Sequence, residues 1–451
     1  MSGAGEQPWR GRRLHLVGVG GAGMSAYARA AAALGADVSG SDAAAGPGTE
    51  ALAADGVLRA RIGHARENVP EGADVEVFYS SAIPADNPEL LAARERGLRA
   101  SPRAELLGEL SALRRTIAVA GTHGKTTTAS MLVHALRGAG AEPSWLIGGA
   151  AGAGLANAHW VAGEWLVVEA DESDRSMLSL SVEVAVLTNV ELDHHATFAS
   201  LAQLREAFRA FLALATTGIV VWDRAELLEL APQRPSAPPV VAFDVGELEL
   251  GADGVRMSWR GHDVVLRVHG AHNALNALAA LEAARLAGAD EARAAAALAS
   301  FEGAGRRFQL LGSTRGARVY DDYAHHPSEV AATLLAARTL APRRLVAVFQ
   351  PHLYSRSAAL AREFGRALAL ADVIAVLEIY PARERAEDHP GVSGLRIAEA
   401  ASDAAAGRTV YWLPTFAQAE PVLRAELREG DLCVVMGAGD VDALARALVS
   451  R

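Results

Sequence analysis

The chain contains one lysine, at a position where an ammonium group can meet phosphate. Lys125 lies in GTHGKTTT, which follows the apolar run TIAVA and precedes the helical pattern ASMLVHALRGAG. A strand, a glycine-rich turn and a helix beginning with Lys-Thr form a phosphate cradle, because backbone N–H groups and the helix N-terminus face the anion. We predict that Lys125 reaches a β- or γ-phosphate and that the Thr126 hydroxyl reaches Mg²⁺. The alternative is a helix-start turn with a solvated lysine.

Acidic residues follow two later strands. EWLVVE ends at Glu169 and continues into DESD, and AVLTN runs into VELDHH. Since Mg²⁺ prefers hard oxygen ligands, Glu169 at a strand end beside a phosphate loop is the predicted metal carboxylate, with His194 as ligand of a second ion. His194 and His195 cannot point the same way on a strand or helix, so one is expected to be structural. For each of the other acids of this segment, a helix cap or a solvated turn is as good an interpretation as a functional role.

A second glycine-rich turn lies near the start of the chain. HLVGVGGAGMS carries G-x-G-x-x-G at Gly18, Gly20 and Gly23, directly after a strand, and Asp42 follows about twenty residues on. Alone, this pattern indicates a nicotinamide or flavin site. Because an ATP-type phosphate loop follows it, we expect the turn to bind the diphosphate of a nucleotide without redox chemistry. A tight turn of an α/β sheet without a ligand is the other interpretation.

Parallel sheets are needed to position these residues, and the element order predicts three of them. Short apolar strands alternate with alanine-rich helices, beginning at 14–19, again at 116–120 and again after Gly312. A polar connection is predicted over 98–115, and a β-hairpin over 246–268. We therefore predict an α/β fold with a Rossmann-like N-terminal domain, a central P-loop ATPase domain and a Rossmann-like C-terminal domain, at 1–113, 114–312 and 313–451.

Composition excludes several classes of protein. The 451 residues carry a formal net charge of -10, which argues against nucleic acid or an anionic membrane as partner. Cys433 is the only cysteine, so neither an intrachain disulfide nor a cysteine metal cluster is expected. No apolar run reaches the ~18–20 residues that span a bilayer, and the first residues lack a signal-peptide pattern. A soluble cytoplasmic protein is expected, of an oligomeric state that the sequence does not indicate.

Ten segments together resemble the Mur ligases, the ATP-dependent amide-forming enzymes of peptidoglycan precursor synthesis. In chain order they are VGVGGAGMS, SGSD, SSAIP, GTHGKTTT, EADESD, TNVELDHH, GAHNALNALAA, GAGRRFQ, DDYAHHPSE and FQPHLYSR. The resemblance covers essentially the whole chain. It implies a cytoplasmic enzyme of cell wall biogenesis, cell shape and cell division that joins UDP-N-acetylmuramate to L-alanine through an acyl phosphate. A sister ligase adding another amino acid, or a recycling ligase adding a peptide, stays open.

The resemblance also implies roles for individual residues. The UDP-sugar would be bound in the first domain by Gly18, Gly20, Gly21, Met24, Ser25, Asp42, His64 and Ser81. ATP would be bound by Gly121, Thr122, His123, Gly124, Lys125, Thr126, Thr127, Asn273, Arg306 and Asp322. Mg²⁺ or Mn²⁺ would be held by Thr126, Glu169 and His194. L-Alanine would meet Tyr323, His325, His352 and Arg356, since an arginine fork suits its carboxylate. Catalysis would involve Lys125, His194, His325 and Arg356.

Two other classes of protein explain part of the sequence. A nicotinamide-dependent oxidoreductase accounts for the first glycine-rich turn but leaves Lys125 and the acidic strand ends without a function. A P-loop switch or motor protein accounts for the central segment but not for the first turn or for DDYAHHP. In the ligase, either His194 or His325 would accept the proton of the amine.

Overall fold

The computed structural model describes residues 7–148, 156–193 and 197–450. The chain divides into two compact units. The first comprises Met1–Asp244 with Leu275–Leu298, and the second comprises Val245–Ala274 with Ala299–Arg451. Among the described residues, no helix is both long and apolar enough to cross a membrane. The domain limits 1–113, 114–312 and 313–451 stay a prediction.

The first unit begins with a five-stranded sheet of order β3-β2-β1-β4-β5, in which every pair is parallel. Its strands are β1 (Arg13–Val17), β2 (Asp37–Asp42), β3 (Arg61–Ile62), β4 (Val75–Tyr79) and β5 (Ala100–Pro102). Its helices are α1 (Ala22–Ala33), α2 (Pro47–Ala54), α3 (Pro88–Glu95) and α4 (Arg103–Ser111). Strand order reverses at β1, and in open parallel sheets ligands bind beyond the carboxyl ends of the strands at such a point. The glycine-rich turn 18–23 follows β1 there.

The polar connection predicted over 98–115 is wrong, because this segment forms β5 and α4. Leu106, Leu107 and Leu110 of α4 are fully buried in an apolar core of the first unit. Their spacing places them on one face of a helix, but a helix of nine residues that also contains Arg103, Glu105, Gly108 and Glu109 shows this pattern only weakly in the sequence.

A seven-stranded sheet follows, of order β12-β11-β10-β6-β9-β7-β8. Its strands are β6 (Arg115–Ala120), β7 (Ser144–Leu146), β8 (Ala158–His159), β9 (Trp165–Glu169), β10 (Val184–Leu187), β11 (Gly218–Trp222) and β12 (Val240–Phe243). The helices are α5 (Lys125–Gly138), α6 (Leu201–Leu212), α7 (Ala225–Leu228), α9 (Glu291–Ala297) and α8 (Ala271–Leu286), whose first four residues belong to the second unit. Only β8 is antiparallel. Since β6 lies between β9 and β10, the lysine loop after β6 is flanked by the carboxyl ends of both neighbours.

The second unit holds two sheets. The predicted hairpin is a three-stranded antiparallel sheet of β13 (Leu248–Gly251), β14 (Gly254–Trp259) and β15 (His262–Leu266). The six-stranded sheet has the order β16-β17-β21-β18-β19-β20, with β16 antiparallel. Its strands are β16 (Gln309–Thr314), β17 (Ala317–Asp322), β18 (Arg344–Phe349), β19 (Val373–Val376), β20 (Thr409–Trp412) and β21 (Asp431–Met436). The helices are α10 (Pro327–Thr339), α11 (Tyr354–Leu368), α12 (Gly394–Ala404), α13 (Phe416–Glu426) and α14 (Asp442–Val449).

The six-stranded sheet is buried on both faces. Along β18, Ala347 and Phe349 belong to one apolar core, and Val346 and Val348 belong to another. Successive side chains of a strand point to opposite faces, so a sheet that helices cover on both sides reads as an unbroken apolar run. This explains why RLVAVF predicts a strand without alternation of polar and apolar residues.

Candidate active site

Lys125 begins α5 and is held within its own loop. Its Nζ donates to the carbonyl oxygens of Gly121 and Thr122, at 2.6 and 3.2 Å, and to the carboxylate of Glu172 at 3.0 Å. Burial alone would lower the pKa of Lys125, but nearby carboxylates, Glu172 foremost, raise it above its ordinary value. The side chain is therefore a cation paired with a fully buried carboxylate. Glu172, left among the unassigned acids of EADESD, is its partner.

The backbone of the lysine loop is shaped by two asparagines. Asn189 binds both backbone groups of His123, accepting from its N–H at 2.8 Å and donating to its carbonyl at 3.0 Å. Gly124 has φ +82°, and a Cβ there would overlap the side-chain oxygen of Asn276. Sequence reasoning assigned no role to Asn189 or Asn276, although both lie in segments that carry the resemblance.

Thr126 and Glu169 meet at the edge of the sheet, as their positions after adjacent strands predict. The Thr126 hydroxyl donates to the Glu169 carboxylate, with 3.0 Å to each oxygen, and the backbone N–H of Gly148 donates to the same carboxylate at 2.7 Å. A hydroxyl and a carboxylate are hard oxygen donors of the kind that Mg²⁺ prefers, so this pair fits a divalent metal beside the phosphate loop. His194, the third predicted metal ligand, lies outside the described residues.

The remaining acids of EADESD are tied to an arginine from α4. Arg103 donates from Nε to Asp174 at 2.6 Å and from Nη2 to Asp171 at 2.9 Å. Burial would raise the pKa of Asp171, but Lys125 and Arg103 lower it to about 2. Both aspartates also accept backbone N–H groups two residues on, which agrees with the structural alternative of a turn cap. Arg103 thus connects α4, which follows the first sheet, to the segment that carries Glu172, the partner of Lys125. The sequence alone does not indicate this role of Arg103.

The first glycine-rich turn is held by Asp42 from the end of β2. The backbone N–H of Gly20 donates to Asp42 Oδ2 at 2.8 Å. A Cβ at Gly20 would lie 2.9 Å from that oxygen, so the close approach requires glycine. Gly18 has φ +81°, which also favours glycine. Gly21 directly precedes α1, whose N-terminal N–H groups face the place where we expect a diphosphate.

The other residues predicted for the UDP-sugar differ in exposure. The side chains of Met24 and Ser25 are buried in α1. Ser25 Oγ donates to the carbonyl of Ala22 at 3.0 Å and accepts from Asn157 Nδ2 at 3.0 Å. Ser81 is exposed just beyond β4, and His64 lies just beyond β3. All four lie near the carboxyl edge of the first sheet, and their roles stay predictions.

In the second unit, the four residues predicted for the amino acid lie together. The rings of Tyr323 and His325 are 5.4 Å apart, and those of His325 and His352 are 5.9 Å apart. Arg356 is buried in the first turn of α11, with Nη1 at 3.2 Å from His352 Nδ1. Tyr380 stacks on His352 at 5.8 Å, a contact that no motif in the sequence indicates. An arginine fork suits a carboxylate, but the role of these four residues toward an amino acid stays a prediction.

Arg306, predicted for ATP, is held at one end of this cluster. Its Nε donates to Asp321 at 3.1 Å and its Nη2 to the carbonyl of Gly437 at 2.9 Å. The backbone N–H of Tyr323 donates to the Arg306 carbonyl at 2.8 Å. The guanidinium also lies 5.2 Å from the centre of the Tyr323 ring. Arg306 thus has a fixed place next to the residues predicted for the amino acid.

Asp322 and Asn273, also predicted for ATP, are anchored to backbone groups of the second unit. Asp322 accepts from the N–H groups of Phe308 and Ala324, at 2.7 and 2.8 Å. Burial nevertheless raises the pKa of Asp322 to about 6. Asn273 donates to the carbonyl of His269 at 2.8 Å. These contacts fix the positions of both side chains. Their binding to ATP stays a prediction.

Comparison with protein families gives three successive matches. Residues 13–115 match the Mur ligase family catalytic domain, 119–284 the Mur ligase middle domain, and 306–439 the Mur ligase glutamate ligase domain.

Individual proteins match over the whole length. The chain is 44% identical to a UDP-N-acetylmuramate–L-alanine ligase of Rubrobacter xylanophilus, covering 97% of this chain and 100% of that protein. It is 42% identical to the ligase of the same name from Mycolicibacterium vanbaalenii, covering 98% and 96%. Among solved structures, a UDP-N-acetylmuramate-alanine ligase of Thermotoga maritima matches with a TM-score of 0.81 and 27% identity, covering 97% and 98%. A murein peptide ligase of Psychrobacter arcticus shares the fold, with a TM-score of 0.70 and 24% identity.

Proposed function

The chain belongs to the Mur ligase family, and we propose from this premise that it uses ATP to join the carboxylate of UDP-N-acetylmuramate to the amino group of L-alanine. The observation that carries the proposal is the 44% identity, over 97% of the chain, to a protein with that activity in its name. The reaction would be a step of peptidoglycan precursor synthesis. The cytoplasmic location stays a prediction.

The first step would make the carboxylate reactive. A carboxylate oxygen of the UDP-sugar attacks the γ-phosphorus of ATP, the bond to the β-γ bridging oxygen breaks, and ADP leaves an acyl phosphate. Lys125 would exchange its contact with Glu172 for phosphate oxygens and balance their charge. Thr126 and Glu169 would hold Mg²⁺ or Mn²⁺, whose chemistry is to neutralise charge on the phosphate oxygens. The 3.0 Å contact between these two residues supports their sharing an ion.

The second step would form the amide. The amine of L-alanine attacks the acyl carbon, the nitrogen loses a proton, and the resulting tetrahedral intermediate expels phosphate. Arg356 would bind the L-alanine carboxylate within the cluster of Tyr323, His325 and His352. His194 and His325 are the candidate acceptors of the amine proton. Because water destroys an acyl phosphate, the site must exclude it during this step.

Phosphate release tests the proposal directly. The protein is supplied with ATP, Mg²⁺ and UDP-N-acetylmuramate, together with L-alanine, glycine, L-serine, D-glutamate or an L-alanyl peptide in turn. Release that requires both the UDP-sugar and L-alanine is the expected result. Release with a different amine would support an ATP-dependent ligase whose amino-acid substrate is not L-alanine. No release with any amine, from folded protein that binds ATP, would overturn the proposal. Omitting Mg²⁺ and then adding Mn²⁺ tests the metal.

A further inference from the structure

A fully buried carboxylate in the first sheet has no part in the chemistry described so far. Glu89 lies in the first turn of α3, and its side chain is completely inaccessible to solvent. Four side chains surround the carboxylate within hydrogen-bond distance. They are His15 at 2.7 Å, Ser41 and His64 at 2.8 Å, and Asn68 at 3.2 Å.

These partners can all act as donors to Glu89. The Ser41 hydroxyl and the Asn68 amide nitrogen each donate a hydrogen, and each histidine presents a ring nitrogen. Burial would raise the pKa of Glu89, but these hydrogen bonds lower it to about 2. A buried ionised carboxylate is costly unless it is well satisfied. The four polar side chains therefore stabilise the negative charge of Glu89. Apolar side chains at these positions would avoid the free-energy cost of burying a charge.

One of the four partners lies beside the place where the UDP-sugar is expected. His64 follows β3 at the carboxyl edge of the sheet, and the N–H of its neighbour Gly63 donates to the Asp42 carbonyl at 2.9 Å. Asp42 in turn holds Gly20 of the first glycine-rich turn through its carboxylate. The His64 side chain is 17% exposed, whereas His15 and Glu89 are fully buried.

The ring of His64 is fixed from its inner side. Its Nδ1 lies 2.8 Å from Glu89 Oε1, so this nitrogen carries a hydrogen that it donates to the carboxylate. A neutral imidazole with a hydrogen on Nδ1 has an acceptor at Nε2. Within the part of the chain that the structure describes, no protein group is hydrogen-bonded to this Nε2.

We propose that Glu89 is a positioning residue for the UDP-sugar: it holds His64 so that Nε2 faces the nucleotide as a hydrogen-bond acceptor. The inference rests on the proposed function. A matching ligand must offer an N–H or O–H group at this place, and a uridine nucleotide has both, in the N3–H of the base and the hydroxyls of the ribose. Glu89 itself touches no ligand.

Calorimetric titration with UDP tests this without the ligase reaction. Glu89→Gln is expected to weaken UDP binding about tenfold, the lower range for the loss of a partner that orients a histidine. His64→Ala should weaken binding by a similar factor. If Glu89 acts through His64, adding Glu89→Gln to His64→Ala produces no further loss, because the residue through which it acts is already absent. A multiplied loss in the double variant, or unchanged UDP binding in Glu89→Gln, would overturn the inference.

Matched variants separate positioning from general damage to the cluster. Ser41→Ala removes another buried donor to Glu89 and a long 3.4 Å contact between Ser41 Oγ and His64 Nδ1, but it keeps the 2.8 Å bond between Glu89 and His64, so UDP binding should change less than twofold. A tenfold loss in Ser41→Ala would indicate a structural role only and contradict the inference. If thermal melting shows that Glu89→Gln does not fold, Glu89→Asp keeps the charge but withdraws it from His64, and the same comparison with His64→Ala applies.

The two proposals fail in different ways. If the wild-type protein releases phosphate with UDP-N-acetylmuramate and L-alanine but Glu89→Gln binds UDP normally, only the role of Glu89 is wrong. If the wild-type protein releases no phosphate with any amine, the proposed function is wrong, whatever the variants do. In an active enzyme, the Glu89 variant should raise KM for the UDP-sugar and leave KM for ATP unchanged.

Discussion

The first unit contains two glycine-rich turns that share a strand-turn-helix arrangement but differ in their side chains. Each follows a central parallel strand, β1 or β6, and each leads into a helix, α1 or α5. The turn after β6 carries Lys125 and Thr126, with Glu169 beside them. The turn after β1 carries no charged side chain of its own and is held by Asp42.

The difference separates binding from catalysis. Backbone N–H groups and a helix N-terminus are enough to hold a diphosphate that does not react. A phosphoryl group in transfer develops charge on its oxygens, and stabilising that charge takes mobile cations and a metal site. We therefore expect substitutions at the second turn to lower turnover, and substitutions at the first turn to weaken the binding of one substrate.

The largest effect is expected at Lys125. Lys125→Arg keeps the charge but replaces a compact ammonium with a broad fork in a loop closed by Gly121, Thr122 and Glu172. We expect kcat for phosphate release to fall about 10³-fold, with the melting temperature little changed. Arg137→Lys, which places a lysine later in the same helix, is the control and should be near normal. Near-normal turnover in Lys125→Arg would remove the distinction between the two turns.

Glu169 should show the next largest effect. Glu169→Gln keeps the shape of the side chain at the end of β9 but halves its capacity as a metal ligand, so kcat should fall about 10²-fold. Part of the loss should be recovered at higher Mg²⁺ concentration, which a titration of rate against metal measures. Glu164→Gln, directly before the same strand, is the control. An unaltered Mg²⁺ dependence in Glu169→Gln would contradict the assignment of this carboxylate to the metal.

A smaller and more selective effect is expected at Asp42. Asp42→Ala removes the bond that holds Gly20, a charge-assisted hydrogen bond worth about 1.5 kcal/mol, so KM for the UDP-sugar should rise about tenfold. KM for ATP and kcat should stay within twofold, because the second turn is intact. Asp37→Ala, at the exposed start of the same strand β2, serves as the control. An equal rise in KM for ATP would mean that the two turns do not act separately.

The smallest effect concerns stability alone. Gly18 and Gly11 both have positive φ, but a Cβ at Gly18 would lie 3.1 Å from the Ser80 side chain, whereas a Cβ at Gly11 would meet nothing within 4 Å. Gly11→Ala should lower the free energy of unfolding by about 1 kcal/mol through backbone strain. Gly18→Ala should lower it further, as urea unfolding measures. Equal losses would show that the first turn has room for a side chain and is less rigid than its contacts indicate.

Much of the fold was predictable from the sequence because buried parallel strands have simple patterns. The strand predicted at 165–169 is found at Trp165–Glu169, and the strand predicted at 116–120 begins one residue earlier, at Arg115. Helix α4 is short, and Arg103, Glu105, Gly108 and Glu109 stand around its three buried leucines, so the sequence has no clear apolar period there. The order of strands within a sheet depends on contacts between distant segments, which no local pattern records.

The candidate site could also be predicted from the sequence only as far as local patterns reach. Lys125, Thr126 and Glu169 are expected near one another, because the carboxyl ends of all the parallel strands of a sheet lie at one edge. Glu89 and Arg103 were not found, because each acts on residues far away in the chain. Glu89 binds His15 across 74 positions, and Arg103 binds Asp171 across 68. Alone, each reads as an ordinary charged residue of a surface helix.

The solitary lysine also makes the chain suited to chemical footprinting. Among 43 basic residues only Lys125 has an ε-amine, so an acylating reagent meets that group and the α-amino group and no other amine. Its side chain is 13% exposed and paired with Glu172, and bound nucleotide would cover it further. The extent of acylation at one peptide therefore measures occupancy of the phosphate loop, without the background that surface lysines impose on other ATP-binding proteins.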